Sequence, residues 1–207
     1  GMEWIIVSEE KESKFVSAVE EDLRIEGEIK RISFKSLKSR KSLLNSSKTS
    51  SRNVDCIFVW NKSDIYFDKL LRYLEQVNIE SEYISRAWVI VLNPAGSSNT
   101  SNAQTITNIV RSAANVVSCP LYSMELLTNG LNGNARSKQV SDILLKQQVA
   151  HRELVLKEGE WFESKLVKLQ MPELPVTETP YWELQLRHET NHSEGSKLCL
   201  SFNDNLP

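Results

Sequence analysis

The chain has 207 residues, of which 40% are hydrophobic, and a formal net charge of −2 from 25 basic and 27 acidic side chains. That length and composition suit one domain, or one domain with an appendage. The near balance of charge argues against a protein that binds nucleic acid through its bulk field. Without a signal peptide or an apolar run of about 18 residues, we expect a cytoplasmic protein with no membrane partner.

The three cysteines are odd in number and far apart, and they form no CxxC pair. Neither a zinc site nor a disulfide framework is therefore predicted. Cys56 lies within an apolar run, where a small buried hydrophobic side chain is the favoured interpretation.

The first elements alternate between strand and helix. Residues 3–7 (EWIIV) predict a short apolar strand. Residues 11–26 repeat apolar side chains at a spacing of four, which predicts a helix that Gly27 would end. Residues 29–34 alternate and predict a weaker strand near a sheet edge, and residues 37–44 are expected to form a short helix.

The two most apolar stretches are residues 54–60 (VDCIFVW) and residues 87–92 (AWVIVL). Continuous apolar runs of this kind predict strands buried on both faces, as in a parallel sheet covered by helices. Between them, residues 67–77 carry a helical pattern with Asp64 as its expected N-terminal cap. The turn cluster at residues 93–96 (NPAG) ends the second run.

Three further elements follow this strand. They are a helix with apolar positions at residues 106–113, a fifth strand that residues 116–121 lead into and that ends near residue 125, and an amphipathic helix over residues 137–149. Strands and helices alternating at this spacing imply a right-handed, doubly wound parallel sheet. We therefore predict an α/β, Rossmann-like domain over residues 1–150.

The period of the sequence changes after this domain. Residues 151–170 predict a β-hairpin around a glycine turn. Residues 171–180 hold three prolines and predict an extended linker. Alternation over residues 181–187 and 197–202 predicts two more strands, so the chain ends in a β-rich extension.

The first turn of a Rossmann sheet should offer GxGxxG, so that the backbone can approach a pyrophosphate. Residues 8–13 here read SEEKES, with no glycine and with carboxylates where phosphate charge would lie. The other candidate loop, residues 93–102 (NPAGSSNTSN), has a single glycine and could form an anion nest, although a plain turn is favoured. No cofactor-binding residue is therefore predicted.

Other catalytic patterns are also missing. No tyrosine has a lysine four residues later, and no Gly-x-Ser-x-Gly elbow occurs. His188 and His192 are four apart, which could serve a metal on a helix, but a solvated loop is favoured. Asp55, Asp64 and Asp68 could form a phospho-acceptor cluster, yet the first strand lacks the paired aspartates of a receiver domain. We predict no catalytic and no metal-binding residue.

Five segments, taken in order, carry a family resemblance. They are EWIIVSEEKESKFVSAVEEDL (3–23), NVDCIFVWN (53–61), RAWVIVLNPAGS (86–97), TITNIVRSAANVVSCPLYSMELL (105–127) and HRELVLKEGEWFESKLVKL (151–169). Their order resembles the structural subdomain of ketoreductases in modular polyketide synthases and animal-type fatty acid synthases. Departures from the family pattern occur at residues 117–119, 157–158 and 165. PYWELQLRHETNHSEGSKLCLSF (180–202) resembles the first strands of an enoylreductase domain.

The resemblance implies a truncated Rossmann fold that has lost its nucleotide loop and its catalytic residues. It assigns residues 1–150 to the structural subdomain, residues 151–170 to its hairpin, and residues 171–207 to a linker and the start of an enoylreductase. The implied role is to support and position the catalytic ketoreductase and enoylreductase domains that process β-keto groups on carrier-protein-bound chains. The parent enzyme would use NADPH and phosphopantetheine, whereas this chain would bind no cofactor.

Two other hypotheses remain open from the residues. A flavodoxin-like signalling or effector domain, receiver-like or TIR-like, would need carboxylates clustered at the strand ends, whereas Asp55 lies at the start of its strand. A standalone oxidoreductase with an unusual nucleotide loop would need hydride-transfer residues, and none is identified.

Overall fold

The computed structural model describes residues 2–9, 13–39, 42–44, 54–61, 67–93, 100–127, 133–163, 183–187 and 197–201. The chain divides into two compact units, Gly1–Lys165 and Leu166–Pro207. The first unit contains the α/β sheet and its helices, and the second contains a strand pair.

The elements of the first unit alternate between strand and helix up to a final hairpin. They are β1 (Met2–Ser8), α1 (Ser13–Leu23), β2 (Gly27–Ser33), α2 (Phe34–Ser39), β3 (Val54–Asn61), α3 (Phe67–Ile79), β4 (Ile84–Asn93), α4 (Thr100–Ala113), β5 (Leu121–Leu127), α5 (Gly133–Leu144), β6 (Glu153–Lys157) and β7 (Glu160–Glu163). Within the described residues, the strands form one sheet in the order β2-β1-β3-β4-β5-β6-β7. Every neighbouring pair is parallel except β6 and β7. The fold is a truncated Rossmann-like, doubly wound α/β sheet, as predicted.

Helices cover both faces of this sheet, so its central strands are buried on both sides. Ala87, Val89 and Val91 of β4 share a core cluster with residues of α2, α3 and α4. The alternate β4 residues, Trp88 and Ile90 among them, share the opposite cluster with α1 and α5. We call these sides the α4 face and the α1 face. The predicted double burial of the AWVIVL run is confirmed.

One crossover differs in hand from the rest. The connections β2-α2-β3, β3-α3-β4 and β4-α4-β5 advance along the sheet with their helices on the α4 face. The β1-α1-β2 connection runs the opposite way with its helix on the α1 face, which gives it the same hand. The β5-α5-β6 connection advances along the sheet with α5 on the α1 face, so its hand is reversed. Because about 98% of such crossovers are right-handed, this connection is an exception, and it leads into the hairpin strand β6, which had not been expected to add to the parallel sheet.

Gly27 does not end the first helix, as the sequence had suggested. Helix α1 ends at Leu23, and Gly27 is the first residue of β2. A Cβ built on Gly27 would lie 1.9 Å from the carbonyl oxygen of Met2. This position therefore requires glycine because β1 and β2 approach closely there, not because a helix terminates.

The second helix is shorter and begins earlier than predicted. Ser33 caps it, since the Ser36 backbone N–H donates to Ser33 Oγ at 3.2 Å. Leu43 and Leu44 lie outside the helix because their backbone N–H groups donate to Glu80 Oε2 at 3.1 and 3.0 Å. The carboxylate of Glu80 thus holds this segment in place of helical hydrogen bonds.

The predicted hairpin is present and extends the main sheet. Its turn residues Glu158 and Gly159 have φ values of 52° and 86°. Positive φ at both central residues is typical of the type I′ turn, which matches the twist of a two-residue hairpin. In the second unit, β8 (Glu183–Arg187) and β9 (Lys197–Ser201) form an antiparallel pair at the predicted positions.

Candidate functional site

The carboxyl edge of the parallel sheet is where α/β proteins usually bind ligands, at the point where the strand order reverses. Here that point lies between β1 and β3. Strand β1 ends at the buried residue Ser8, whose Oγ has no hydrogen-bond partner among the described residues, and Glu9 follows it. Residues 10–12, the rest of the predicted acidic turn, lie outside the described part of the chain.

A second carboxylate lies at the same edge, beside β4. Asn93 at the end of β4 donates from Nδ2 to Glu125 Oε1 on β5 at 2.7 Å. Arg136, in the first turn of α5, is half-buried and already interacts with another residue. The glycine-containing loop after Asn93 lies outside the described residues at positions 94–99. Among the described residues, this edge therefore carries the carboxylates of Glu9 and Glu125 and the guanidinium of Arg136.

The amino edge, by contrast, holds a buried ion pair. Asp55 on β3 and Arg86 on β4 are register partners. Arg86 donates to Asp55 Oδ2 from Nε at 2.8 Å and from Nη2 at 2.5 Å. It also donates to the carbonyl oxygens of Leu144 at 2.9 Å and Lys146 at 2.5 Å, and its guanidinium lies 5.7 Å from the ring centroid of Trp88. One side chain thus joins two strands to the end of α5.

This ion pair also explains why the last helix ends earlier than residue 149. The carbonyl groups in the last turn of a helix lack partners within the helix and need donors from elsewhere. Arg86 supplies donors to Leu144 and Lys146, so the chain can leave the helical path at Leu144. Sequence reasoning placed Asp55 in a strand but did not identify Arg86 as its partner, because the pairing depends on strand register.

Burial governs the charge of Asp55. Desolvation raises the pKa of its carboxyl above the ordinary value of 3.8, and the hydrogen bonds and charge of Arg86 oppose that rise. Asp55 Oδ1 makes no hydrogen bond within the described part of the chain. Keeping a carboxylate charged in this environment costs desolvation free energy, as it does in buried ion pairs generally. We therefore interpret Asp55 as a structural group.

A cavity of about 710 Å³ opens beside this pair at the amino edge. The starts of β1, β4 and β5 and the segment before β6 line it, including Met2, Arg86, Tyr122 and residues 147–150. Tyr122 stacks on Trp88 with ring centroids 4.3 Å apart. Among its described lining residues, Tyr122 is the one side chain of a type that commonly serves as a general acid or base, and no carboxylate, histidine or cysteine accompanies it.

The remaining candidate residues do not assemble into a site within the described chain. Asp68 is in the first turn of α3 at the carboxyl edge, at the opposite end of the sheet from Asp55, and Asp64 lies outside the described residues. His188 and His192 also lie outside them. No group of three metal-ligating side chains occurs among the residues that the structure describes.

The described cysteines are inert core residues. Cys56 and Cys119 are free and buried. Burial raises the pKa of the Cys119 thiol to about 11 and raises that of Cys56 well above its ordinary value. The interpretation of Cys56 as a small buried hydrophobic side chain is confirmed.

Comparisons with known proteins add little to this geometry. No family model matches the chain, and no curated protein matches it. One solved structure that resembles it is the oxidised flavodoxin 1 of Bacillus cereus, with 11% sequence identity and a TM-score of 0.45. The alignment covers 71% of this chain and 99% of the flavodoxin. A likeness at this level does not bear on ligand or activity. No described helix is long and apolar enough to cross a membrane.

Proposed function

We propose that this chain is a non-catalytic structural subdomain of a cytoplasmic polyketide or fatty acid synthase. Its role would be to support and position the catalytic ketoreductase and enoylreductase domains of that enzyme. The observation that carries the proposal is the end of β1, where Ser8 and Glu9 stand in place of a glycine-rich phosphate turn. NADPH and phosphopantetheine would serve other domains of the synthase.

The chemistry of that turn supports the proposal in two ways. A pyrophosphate is normally held by backbone N–H groups at a helix N-terminus, which glycines allow it to approach. Glu9 brings a carboxylate to this position, and Glu125 adds another at the same edge of the sheet on β5, three strands away. An Asp or Glu side chain favours the same positive helix end that a phosphate would occupy, so the two compete.

Exposed apolar side chains at the amino edge are a second support. Ile25, Ile79, Tyr83 and Val116 are 83%, 67%, 46% and 70% exposed. All four lie in or beside the turns that lead from a helix into β2, β4 or β5. Exposed hydrophobic surface is typical of interaction sites, and a scaffold between two catalytic domains needs more than one such surface.

A thermal-shift measurement with NADPH tests the proposal. A ligand present at a hundred times its Kd would stabilise the folded chain by about 2.7 kcal/mol, which is about 5–10 °C for a chain of this size. We expect no shift with NADPH, and none with FMN. A catalytic ketoreductase domain measured under the same conditions serves as the positive control. A saturable shift of several degrees in this chain would mean that it is a nucleotide-binding protein and not a scaffold.

A further inference from the structure

The cavity at the amino edge of the sheet has a buried floor and an accessible rim. Its volume of about 710 Å³ lies within the range of about 300–1,000 Å³ that is usual for small-molecule sites. Arg86 and Tyr122 form the floor, and both side chains are buried. The rest of the described lining is half-buried or exposed, and it includes Met2, Val149 and Gln148. A molecule can therefore reach the floor from solvent.

One wall of the cavity is the segment that follows α5. Arg86 donates to the carbonyl oxygens of Leu144 and Lys146, where the helix ends. Residues 147–150 then line the cavity on their way to β6. Because the ion pair with Asp55 holds Arg86 in place, the same side chain fixes both the floor and the start of this wall. The cavity is therefore formed before any ligand binds, as is usual for such sites.

Arg86 keeps one hydrogen-bond donor that no described residue uses. A guanidinium has five N–H groups. Within the described chain, Arg86 makes one hydrogen bond from Nε, one from Nη1 and two from Nη2. The second N–H of Nη1 is left over. Since Nη1 binds Lys146, the residue just before the lining segment 147–150, we place this donor on the cavity side of the guanidinium, where a ligand oxygen can accept from it.

The other part of the floor is aromatic. Tyr122 stacks on Trp88 with ring centroids 4.3 Å apart and an interplanar angle of 19°. Trp88 Nε1 is buried and makes no hydrogen bond to a described residue, so it is a second unused donor beside the floor. A stacked ring pair favours another flat ring. The floor thus suits a planar aromatic molecule that carries a hydrogen-bond acceptor.

Charge decides between a neutral acceptor and an anionic one. Arg86 is the one charged side chain in the described lining, and Asp55, which does not line the cavity, is already its partner. A carboxylate ligand on Arg86 would add a second negative charge close to Asp55, and like charges that share one site disfavour each other. A neutral carbonyl oxygen accepts the same hydrogen bond without that cost.

We propose that the amino-edge cavity binds a neutral aromatic carbonyl compound, with its ring against Tyr122 and its oxygen accepting a hydrogen bond from Arg86 Nη1. The inference does not depend on the proposed function, because this site lies at the opposite edge of the sheet from the turn after β1. It concerns uncharged molecules, whereas the thermal-shift measurement concerns NADPH. Either result can therefore fail without the other.

The experiment is a titration of the full, ¹⁵N-labelled chain with acetophenone, followed by ¹H–¹⁵N correlation spectra. Benzoate is the matched anionic probe, because it has the same ring and a carboxylate in place of the acetyl group. Small probes bind weakly, so each is taken to about 20 mM. We expect acetophenone to produce saturable shifts in the backbone amides of residues 147–150. Benzoate should bind at least about tenfold more weakly.

Two variants locate the site. Val149→Trp should weaken acetophenone binding by about tenfold or more, because the larger side chain fills the cavity beside its floor. Val116→Trp is the matched control, since Val116 also lies at the amino edge, is 70% exposed and is not part of the described lining. That variant should bind like the wild type. If Val149→Trp fails to fold by circular dichroism, Ala150→Trp repeats the test at an exposed lining position.

Each other outcome overturns a stated part of the inference. If acetophenone gives no saturable shift, the cavity is not a site for aromatic carbonyl compounds. If it binds the two lining variants as tightly as the wild type, binding takes place elsewhere on the chain. If benzoate binds as tightly as acetophenone or more tightly, the ligand is not restricted to neutral molecules, and Asp55 does not offset the charge of Arg86 toward the cavity.

Discussion

The two edges of the parallel sheet differ in the polar contacts that their described residues make. At the carboxyl edge, the described polar contacts include one hydrogen bond between strand ends, from Asn93 to Glu125. At the amino edge, Arg86 joins β3, β4 and the end of α5 through a buried ion pair and two carbonyl oxygens. α/β enzymes concentrate their functional residues at the carboxyl edge. Among the residues that the structure describes, the more elaborate polar network is at the amino edge, where it joins strands to the end of a helix.

This difference makes the amino edge the part of the sheet most sensitive to substitution. Asp55 is fully buried, and the Arg86 side chain is 9% exposed. Removing one member of a buried pair leaves the other charge without compensation, whereas an exposed pair can be replaced by water. The predictions below compare buried and exposed versions of the same interaction, beginning with the largest effect.

Arg86→Ala should lower the free energy of unfolding by about 3–5 kcal/mol, because it leaves the buried Asp55 carboxylate unpaired. It also removes the donors to Leu144 and Lys146, so the segment after α5 should lose protection from hydrogen exchange. Urea denaturation followed by circular dichroism measures the first effect, and exchange mass spectrometry measures the second.

Arg111→Ala is the matched control for that variant. Arg111 also binds a carboxylate through two nitrogens, at 2.7 and 2.6 Å from Glu153, but its side chain is 41% exposed. An exposed pair of this kind contributes about 0.2–1 kcal/mol. If both variants lose the same free energy of unfolding, the stabilisation provided by Arg86 does not depend on its burial.

Gly27→Ala should destabilise the chain by about 1–3 kcal/mol through overpacking. The added Cβ would overlap the Met2 carbonyl oxygen, a backbone atom that cannot move without shifting β1 against β2. Denaturation in urea provides the measurement, with Ser17→Ala on the exposed side of α1 as a control that should remain near wild type. A Gly27→Ala chain as stable as the wild type would show that β1 and β2 can separate at this point without loss of stability.

Local patterns predicted the strands of this fold well. The AWVIVL run identified β4 as doubly buried because continuous hydrophobicity reports the number of covered faces directly. The change of period after residue 150 and the glycine within it identified the hairpin over residues 151–170, and Gly159 does lie at its turn. These features depend on neighbours in the sequence, which is why composition and period are sufficient for them.

Long-range relations were not accessible in the same way. The face on which α5 packs depends on how a whole connection crosses the sheet, and no residue within the helix encodes its hand. Gly27 resembled a helix-ending glycine because it follows an amphipathic run. Its actual constraint is the carbonyl group of Met2, which is distant in the sequence. The pairing of Asp55 with Arg86 likewise depends on the register of two strands. The acidic turn that begins at Ser8 and Glu9 could be predicted from the sequence, because the lack of glycine is a property of that short segment alone.

The smallest predicted effect is a change of stability with pH that comes from Asp55. Because burial raises the pKa of Asp55 above 3.8, the folded chain takes up this proton at higher pH than the unfolded chain does. The stabilising contribution is therefore complete below the unfolded value and is lost as the pH rises through the raised value. Because an asparagine side chain does not titrate, residue 55 of the Asp55→Asn variant makes a contribution to the free energy of unfolding that does not change with pH.

Urea denaturation of the wild type and of Asp55→Asn between about pH 4 and about pH 8 isolates this contribution, because the other carboxylates are common to both chains. We expect the wild type to gain stability relative to the variant as the pH falls. A relative loss on acidification would mean that the attraction of Arg86 outweighs burial and holds the pKa of Asp55 below 3.8. In that case the charged Asp55–Arg86 pair would contribute net stability to the fold in addition to fixing the positions of the strands. The difference in stabilising free energy between this pair and the exposed Arg111–Glu153 pair would then include an electrostatic contribution as well as the effect of burial.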